Sequence, residues 1–173
     1  MRRGPLAAIL ACAVVAALPL PASPLVRGRL GAGVLHDGSD GRDGTVGAYA
    51  DAGFTLSPEK DAGRAGFGLS GGLQYAATGV PEGGSAGKVW IGTEMGPSWR
   101  MAFDDVAVTY TLAPEAGYYI DADGGGGRLC AGGVVRCGTH VAAGPRLGVG
   151  IDLAFHYLSH RGLATQFGAS LVI

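Results

Sequence analysis

The sequence predicts an all-β fold, a single antiparallel up-and-down β-barrel of eight strands that cross a membrane. Three observations predict it. The chain alternates apolar with small or polar residues over long segments, it begins with an export signal, and no later apolar run is long enough for a membrane-spanning helix. Because a bilayer leaves strand backbone groups unsatisfied unless the sheet closes, strands that enter a membrane imply a closed barrel.

The composition excludes several classes of protein. Of the 173 residues, 47 % are hydrophobic and 16 % are charged, whereas disordered chains combine low hydrophobicity with high charge. The 33 glycines lack the triplet spacing of collagen. The net charge of −1 provides no basic surface for nucleic acid, so we expect no nucleic-acid partner.

Residues 1–23 have the pattern of a cleaved signal peptide. Arg2 and Arg3 form a basic start, and the apolar run from Leu6 to Leu18 follows them. This run is shorter than the roughly 20 apolar residues of a spanning helix and suits a secretory signal. Cleavage at the end of the segment would leave residues 24–173 as an exported barrel domain.

Seven segments show the period-two pattern of strands with one apolar face. In chain order they are Arg29–His36, Thr45–Leu56, Ala65–Tyr75, Lys88–Arg100, Val106–Asp121, Val141–Tyr157 and Leu163–Ile173. Apart from the weaker first segment they span about 10 to 18 residues, longer than the strands of about 5 to 6 residues in soluble sandwiches. Tilted strands that cross a membrane need about 9 to 11 residues, so the lengths favour a transmembrane barrel.

The connecting segments favour hairpins between these strands. Polar, glycine-rich loops are predicted at Asp37–Gly44, Gly79–Gly87 and Asp123–Thr139, and shorter turns at Ser57–Gly63, Phe103–Asp105 and Ser159–Gly162. In bacterial barrels the short turns face the periplasm and the strand number is even. We therefore expect an eighth strand, either a short one over Leu129–Arg136 or a second one in the N-terminal region.

Cys130 and Cys137 are the cysteines that remain after cleavage. Export brings them into an oxidising compartment, so the sequence predicts that a disulfide joins them within the longest loop. Two cysteines without a nearby pair of histidines do not suit a zinc site. Neither a metal nor another cofactor is expected.

Ionisable residues lie on the polar face of the predicted strands, which would point into the lumen. They are Asp51, Lys88, Glu94, Arg100, Glu115, Asp121, Arg146, Asp152 and His156. Side chains fill the lumen of an eight-stranded barrel, and buried charges must pair there because unpaired ones are costly. We therefore expect an interior ion-pair network, which either only holds the barrel together or lines a narrow path for small ions. Its expected members are Glu94, Arg100, Glu115, Arg146 and Asp152.

The chain resembles the small, eight-stranded outer-membrane β-barrel proteins of Gram-negative bacteria. The resemblance rests on the signal peptide, the alternating strands and the apolar last segment, Leu163 to Ile173, which is similar to the signal read by the barrel-assembly machinery. In that family the final residue is typically Phe, whereas here it is Ile173. The resemblance implies a monomer in the lipid of the cell outer membrane, assembled by that machinery, with a structural, adhesive or porin-like, narrow-pore role.

Two other functions stay open. Some barrels of this kind are acyl hydrolases that trim lipid A with a His-x-Ser pair on a late strand. Here the order is His156-Tyr157-Leu158-Ser159, one residue too long, and a period-two strand would place the His and Ser on opposite faces. An enzyme is therefore the less favoured interpretation. The other alternative is a soluble periplasmic barrel of the lipocalin type that binds a solute.

Overall fold

Eight strands form one closed sheet in the computed structural model. The described residues are 24–38, 45–58, 65–78, 88–121, 126–144, 147–159 and 162–173. The strands are β1 (Pro24–Asp37), β2 (Thr45–Pro58), β3 (Ala65–Thr78), β4 (Lys88–Phe103), β5 (Val106–Asp121), β6 (Gly126–Ala142), β7 (Gly148–Leu158) and β8 (Gly162–Val172). The predicted signal peptide lies outside the described residues and stays a prediction.

Each strand pairs antiparallel with the next one along the chain, and the first pairs with the last. At this seam the Gly28 N–H donates to the Ile173 carbonyl oxygen at 2.8 Å, and the Ile173 N–H donates to the Gly28 oxygen at 2.9 Å. The predicted fold class, an up-and-down antiparallel barrel of eight strands, is confirmed. Among the described residues, no helix has the length and apolar character needed to cross a membrane.

The barrel has two different ends. One end, termed here the terminal end, contains Pro24, Ile173 and the strand ends that the segments 59–64, 104–105 and 143–147 connect. The other end, termed here the loop end, contains the strand ends that the segments 38–44, 79–87, 122–125 and 159–161 connect. The turn Ser159–Gly162 was expected among the periplasmic turns, but it shares the loop end with the longer connections because one more strand precedes it than the alternation indicated.

The segment expected to be the longest loop is a strand. β6 runs through Gly126–Ala142 and pairs with β5 along its full length, so the eighth strand exists and is longer than Leu129–Arg136. The predicted strand Val141–Tyr157 is divided between β6 and β7. Odd-numbered residues point outward both before and after the turn, as Val141 and Val149 show, so the alternation continues across it.

The predicted disulfide is wrong. Cys130 and Cys137 are both free and lie on the same strand, β6. At about 3.3 Å per residue their Cα atoms lie roughly 20 Å apart, whereas a disulfide needs about 4.4–6.8 Å. Cys130 is also buried in the lumen, whereas Cys137 has the outward parity of the strand. The pairing failed because the segment is extended rather than folded back as a loop.

The outer face of the barrel is apolar. Large side chains such as Leu112 (53 % exposed) and Ile151 (55 % exposed) project from it. Seven exposed aromatic side chains form two bands, one towards each end, and Phe54, Phe155 and Phe167 are exposed elsewhere on the outer face. The band towards the terminal end contains Phe67, Trp99, Phe103 and Tyr110, and the band towards the loop end contains Tyr75, Tyr118 and Tyr157. The rings of Phe67 and Trp99 meet edge to face, with centroids 5.6 Å apart.

Candidate functional site in the barrel lumen

A set of ion pairs crosses the middle of the lumen. We term it the charged belt, and its members are Arg29, Asp51, Glu94, Arg136 and Asp152. They come from β1, β2, β4, β6 and β7, so the belt joins strands from all around the barrel. The period-two geometry of each strand turns these positions inward, where water is scarce and pairing is required.

Arg136 is the centre of the charged belt. Its Nη1 lies 3.0 Å from Asp51 Oδ2, and its Nη2 lies 3.0 Å from Glu94 Oε2, so one guanidinium bridges two carboxylates. The side chains of all three residues are almost fully buried. Because a planar guanidinium presents its N–H groups in a fixed fork, this contact fixes the relative positions of β2, β4 and β6.

Arg29 extends the charged belt towards the terminal end. Its Nη2 lies 3.4 Å from both Asp51 Oδ2 and Glu94 Oε1, and its Nη1 lies 3.9 Å from Asp152 Oδ2. Asp152 also lies 3.7 Å from His140 Nε2. Two guanidinium groups therefore serve three carboxylates, so the belt itself has no positive charge to spare.

Two amide side chains extend the hydrogen-bond network of the charged belt to β3 and β8. The Gln74 Nε2 donates to Glu94 Oε2 at 2.9 Å, and the Gln166 Nε2 donates to Gln74 Oε1 at 3.1 Å. Both glutamines are buried. These bonds bring β3 and β8 into the same polar layer.

Two histidines make further buried contacts in the lumen. His156 Nδ1 lies 2.8 Å from Glu115 Oε2, which joins β7 to β5. His140 Nε2 lies 2.8 Å from Ser170 Oγ, which joins β6 to β8. Both pairs point into the lumen, where they tie non-adjacent strands together.

Apolar side chains close the lumen above the belt, at the loop end. We term this cluster the apolar plug, and its members are Leu35, Tyr49, Ala76, Trp90, Cys130, Leu158 and Ala164, with Tyr119 packed against them. The Trp90 ring lies against Gly92 of its own strand and Gly117 of β5. A methyl group added at Gly117 would come within 2.6 Å of Trp90 Cη2, so the close approach of this ring requires a glycine there.

Below the belt, at the terminal end, the lumen opens into a cavity of 760 Å³. We term it the vestibule. Glu94 and Arg136 of the belt line its inner end, and the turn residues Asp104 and Asp105 line its mouth. Arg27, Arg100 and His140 also line it. The lumen is therefore filled at one end and hollow at the other.

The structure brings together only part of the predicted network. Glu94 and Asp152 belong to the charged belt, and Glu115 is buried beside them but pairs with His156. Arg100 faces the vestibule instead, six positions along β4 from Glu94 and so about 20 Å away at the Cα atoms. Arg146 lies outside the described residues.

The two cations of the charged belt, Arg29 and Arg136, were not predicted from the sequence. Arg136 lies in the segment expected to be a loop, and Arg29 begins the weakest predicted strand. For Arg136 a signal was available, since it shares the parity of Val134 and His140, which also point inward. Its charge partners on β2 and β4 have no signature in sequence spacing.

The geometry does not assemble the His and Ser of a lipid-facing hydrolase. His156 is buried in the lumen, whereas Ser159 is exposed in the turn and its Oγ accepts the Ala131 N–H at 3.2 Å. The close His140 and Ser170 pair points inward, away from the apolar outer face. Among the described residues, no group of three metal-binding side chains comes together.

No protein-family model matches the chain, and no curated protein matches it. Solved structures are similar to it in fold. The match to Neisserial surface protein A (NspA) has a TM-score of 0.65 at 10 % sequence identity and covers 86 % of this chain and 96 % of the NspA chain. The match to Ail, the attachment invasion locus protein of Yersinia pestis, has a TM-score of 0.57 at 11 % identity and covers 86 % of this chain and 97 % of the Ail chain.

The outer membrane enzyme PagL is a third similar structure. The match has a TM-score of 0.52 at 12 % sequence identity and covers 86 % of this chain and 99 % of the PagL chain. At these identities the likeness shows the fold alone. The chain has the eight-stranded barrel fold of small bacterial outer-membrane proteins, as its sequence resemblance predicted. Because similar barrels include a surface protein, an attachment protein and an enzyme, the fold does not choose the function.

Proposed function

We propose that this chain is an integral protein of the bacterial outer membrane with a structural or adhesive role. It is exported by its signal peptide, inserted as a monomer by the barrel-assembly machinery, and presents its loop end to the outside. The observation that carries the proposal is the apolar outer face, bounded by aromatic bands, around a lumen of buried ion pairs.

This distribution of polarity is the reverse of that in a soluble barrel. A lipocalin-type barrel keeps its apolar side chains inside and its polar ones in water. Here Leu112, Ile151 and Phe155 project outward, whereas Asp51 and Glu94 are buried. A continuous apolar surface of this kind needs a lipid environment, because soluble proteins rarely expose apolar patches above a few hundred Å². Aromatic bands at both edges are typical of membrane barrels.

The arrangement of the lumen favours a rigid closed barrel over a narrow pore. A conducting path would have to pass both the apolar plug and the charged belt. Trp90 and Leu158 of the plug are 2 % and 1 % exposed, and Arg136 of the belt is 3 % exposed. We propose that the lumen holds the barrel together and that the loops carry any recognition.

Membrane fractionation tests the location. The expressed chain is expected in the outer-membrane fraction, soluble only in detergent, with faster gel mobility before boiling than after. Protease added to intact cells is expected to reach the loop end but not the turn at Asp104 and Asp105. Recovery in the soluble periplasmic fraction would reject the proposal.

Planar-bilayer recordings of the purified protein separate the closed barrel from the pore. We expect no unitary conductance from the wild type. In a comparison variant, Trp90→Ala with Leu158→Ala removes two large members of the plug, and because the charged belt still crosses the lumen, no steady current is expected from it either. Steady single-channel currents from the wild type would instead support the narrow-pore role.

An attachment assay tests the adhesive part of the role. Cells that express the chain are compared with cells whose 38–44 and 79–87 connections are replaced by Gly/Ser segments of equal length. Adhesion predicts fewer attached cells for the replaced chain at equal surface abundance. Equal attachment of both kinds of cell would reject the adhesive role and leave the structural role as the proposed function.

A further inference from the structure

The vestibule contains two arginines that the charged belt does not use. Arg27 projects from β1 and Arg100 from β4, both line the cavity, and both are partly buried. Arg27 Nη1 donates to Ser57 Oγ at 3.2 Å. Within the described part of the chain, no carboxylate oxygen lies within ion-pair distance of either guanidinium.

The acidic side chains that line the vestibule do not compensate these arginines. Glu94 at the inner end of the vestibule already pairs with Arg29 and Arg136. Asp104 and Asp105 are exposed at the mouth, where water screens their charge. Two partly desolvated cations thus face one cavity, and none of the carboxylates in the described residues pairs with them, an arrangement that attracts an anion.

We propose that the vestibule is a binding site for a small phosphate-bearing compound, held between Arg27 and Arg100. A guanidinium fork matches two oxygens of a phosphate, and a tetrahedral phosphate has oxygens left for a second guanidinium. Thr55, Ser70 and Thr109 line the same cavity. The Thr55 and Ser70 hydroxyls bond each other at 2.9 Å, which leaves one hydrogen of that pair and the Thr109 hydroxyl as further donors. Its volume of 760 Å³ lies within the range of about 300–1,000 Å³ typical of small-molecule sites.

The position of the cavity indicates a soluble ligand rather than a lipid headgroup. The vestibule opens at the terminal end between the β4–β5 turn and Leu147, inside the ring of strands. Lipids contact the outer face, on the other side of the sheet. In the proposed orientation the ligand enters from the periplasm.

Isothermal titration calorimetry tests the site with inorganic phosphate and pyrophosphate as probes. The purified protein is held in a glucoside detergent, which contains no phosphate, at low ionic strength. We expect saturable binding to the wild type, a Kd raised about tenfold by Arg27→Gln or by Arg100→Gln, and loss of binding in the double variant. Arg128→Gln, which removes an exposed arginine at the loop end, is the matched control and should leave the Kd unchanged.

Gel mobility before boiling shows whether each variant is folded, and Arg27→Lys with Arg100→Lys provides a second test that keeps the charge but removes the forks. A Kd between the wild type and the Gln variants supports the proposal. Absence of binding to the folded wild type, or equal binding by wild type and folded double Gln variant, overturns it and identifies an adventitious ion only.

The source of the phosphate is tested in nanodiscs that contain phosphatidylglycerol. Retained pyrophosphate binding supports a soluble ligand. Loss of binding there, with binding in detergent, shows that lipid headgroups occupy the site and overturns the assignment to a soluble compound. Because fractionation and conductance do not depend on Arg27 or Arg100, failure of this inference leaves the proposed function standing.

Discussion

The two ends of the lumen solve the problem of a polar barrel interior differently. At the loop end, Trp90, Leu158 and their neighbours fill the space with apolar side chains. At the terminal end, Arg27, Arg100 and several hydroxyl groups surround a cavity. The charged belt lies between these two regions. The comparison teaches that one filled end and one crossing layer of ion pairs can close a barrel, which leaves the other end free to hold a ligand.

Removal of the central cation should have the largest effect. Arg136→Met leaves Asp51 and Glu94 buried without their shared partner, so we expect a loss of about 3–5 kcal/mol in the free energy of unfolding. Urea titration in lipid vesicles, followed by gel mobility, measures it. Arg27→Met is the matched control in the vestibule and should cost under about 1 kcal/mol, because it leaves no buried carboxylate unpaired. Equal losses in both variants would erase the contrast between belt and vestibule.

Truncation in the apolar plug comes next. Leu158 is fully buried, so Leu158→Ala should lower the free energy of unfolding by about 2–5 kcal/mol through lost burial and the cavity left behind. Thr109→Ala in the vestibule wall should change it by no more than about 0.5 kcal/mol. The same urea titration checks both. A small effect at Leu158 would mean that the plug is loosely packed.

Adding one methyl group to a glycine should lower stability at the filled end of the lumen but not at the hollow end. Gly117→Ala would press on the Trp90 ring and on the Ile91 backbone, so we expect a loss of about 1–3 kcal/mol. Gly28→Ala at the terminal end meets only the Ile173 carbonyl oxygen at 4.0 Å and should be neutral. Thermal melts followed by gel mobility compare the two variants. Tolerance of Gly117→Ala would show that the ring can move.

A disulfide should make no contribution to stability. Reduction of the wild type is expected to leave the unfolding midpoint unchanged, because the two thiols face opposite sides of β6 and cannot be joined. Mass spectrometry after alkylation should find both thiols modified once the chain is unfolded without a reductant. An oxidised pair would contradict the observed strand.

The alternation in the sequence predicted the outer face of the barrel well and its topology less well. The parity of β2 to β5 follows directly from segments such as Thr45–Leu56, because the apolar side chains at its even-numbered positions point outward. β6 was not predicted as a full strand because Val134 and Val135 are adjacent and both apolar. One faces the lumen and the other faces outward, so the period-two pattern breaks at that point. The turn after β6 keeps the parity, so the alternation could not reveal it.

The acidic members of the lumen network were predictable, whereas their partners were not. Glu94, Glu115 and Asp152 stand on the polar face of clear strands. Which cation each one meets depends on the register of strands that are distant in the chain, as with Arg136 on β6 and Asp51 on β2. Alternation fixes which way a side chain points, but not the height at which it crosses the lumen.

The seam between β1 and β8 also governs how the molecule can be made. β8, the last strand in chain order, pairs with β1, the first, through the reciprocal bonds of Gly28 and Ile173. Before these two strands meet, each has an unpaired edge that can bind a strand of another chain. Because β1 and β8 are the strands farthest apart in sequence, closure of the barrel is a long-range step that the pairings between consecutive strands alone cannot complete.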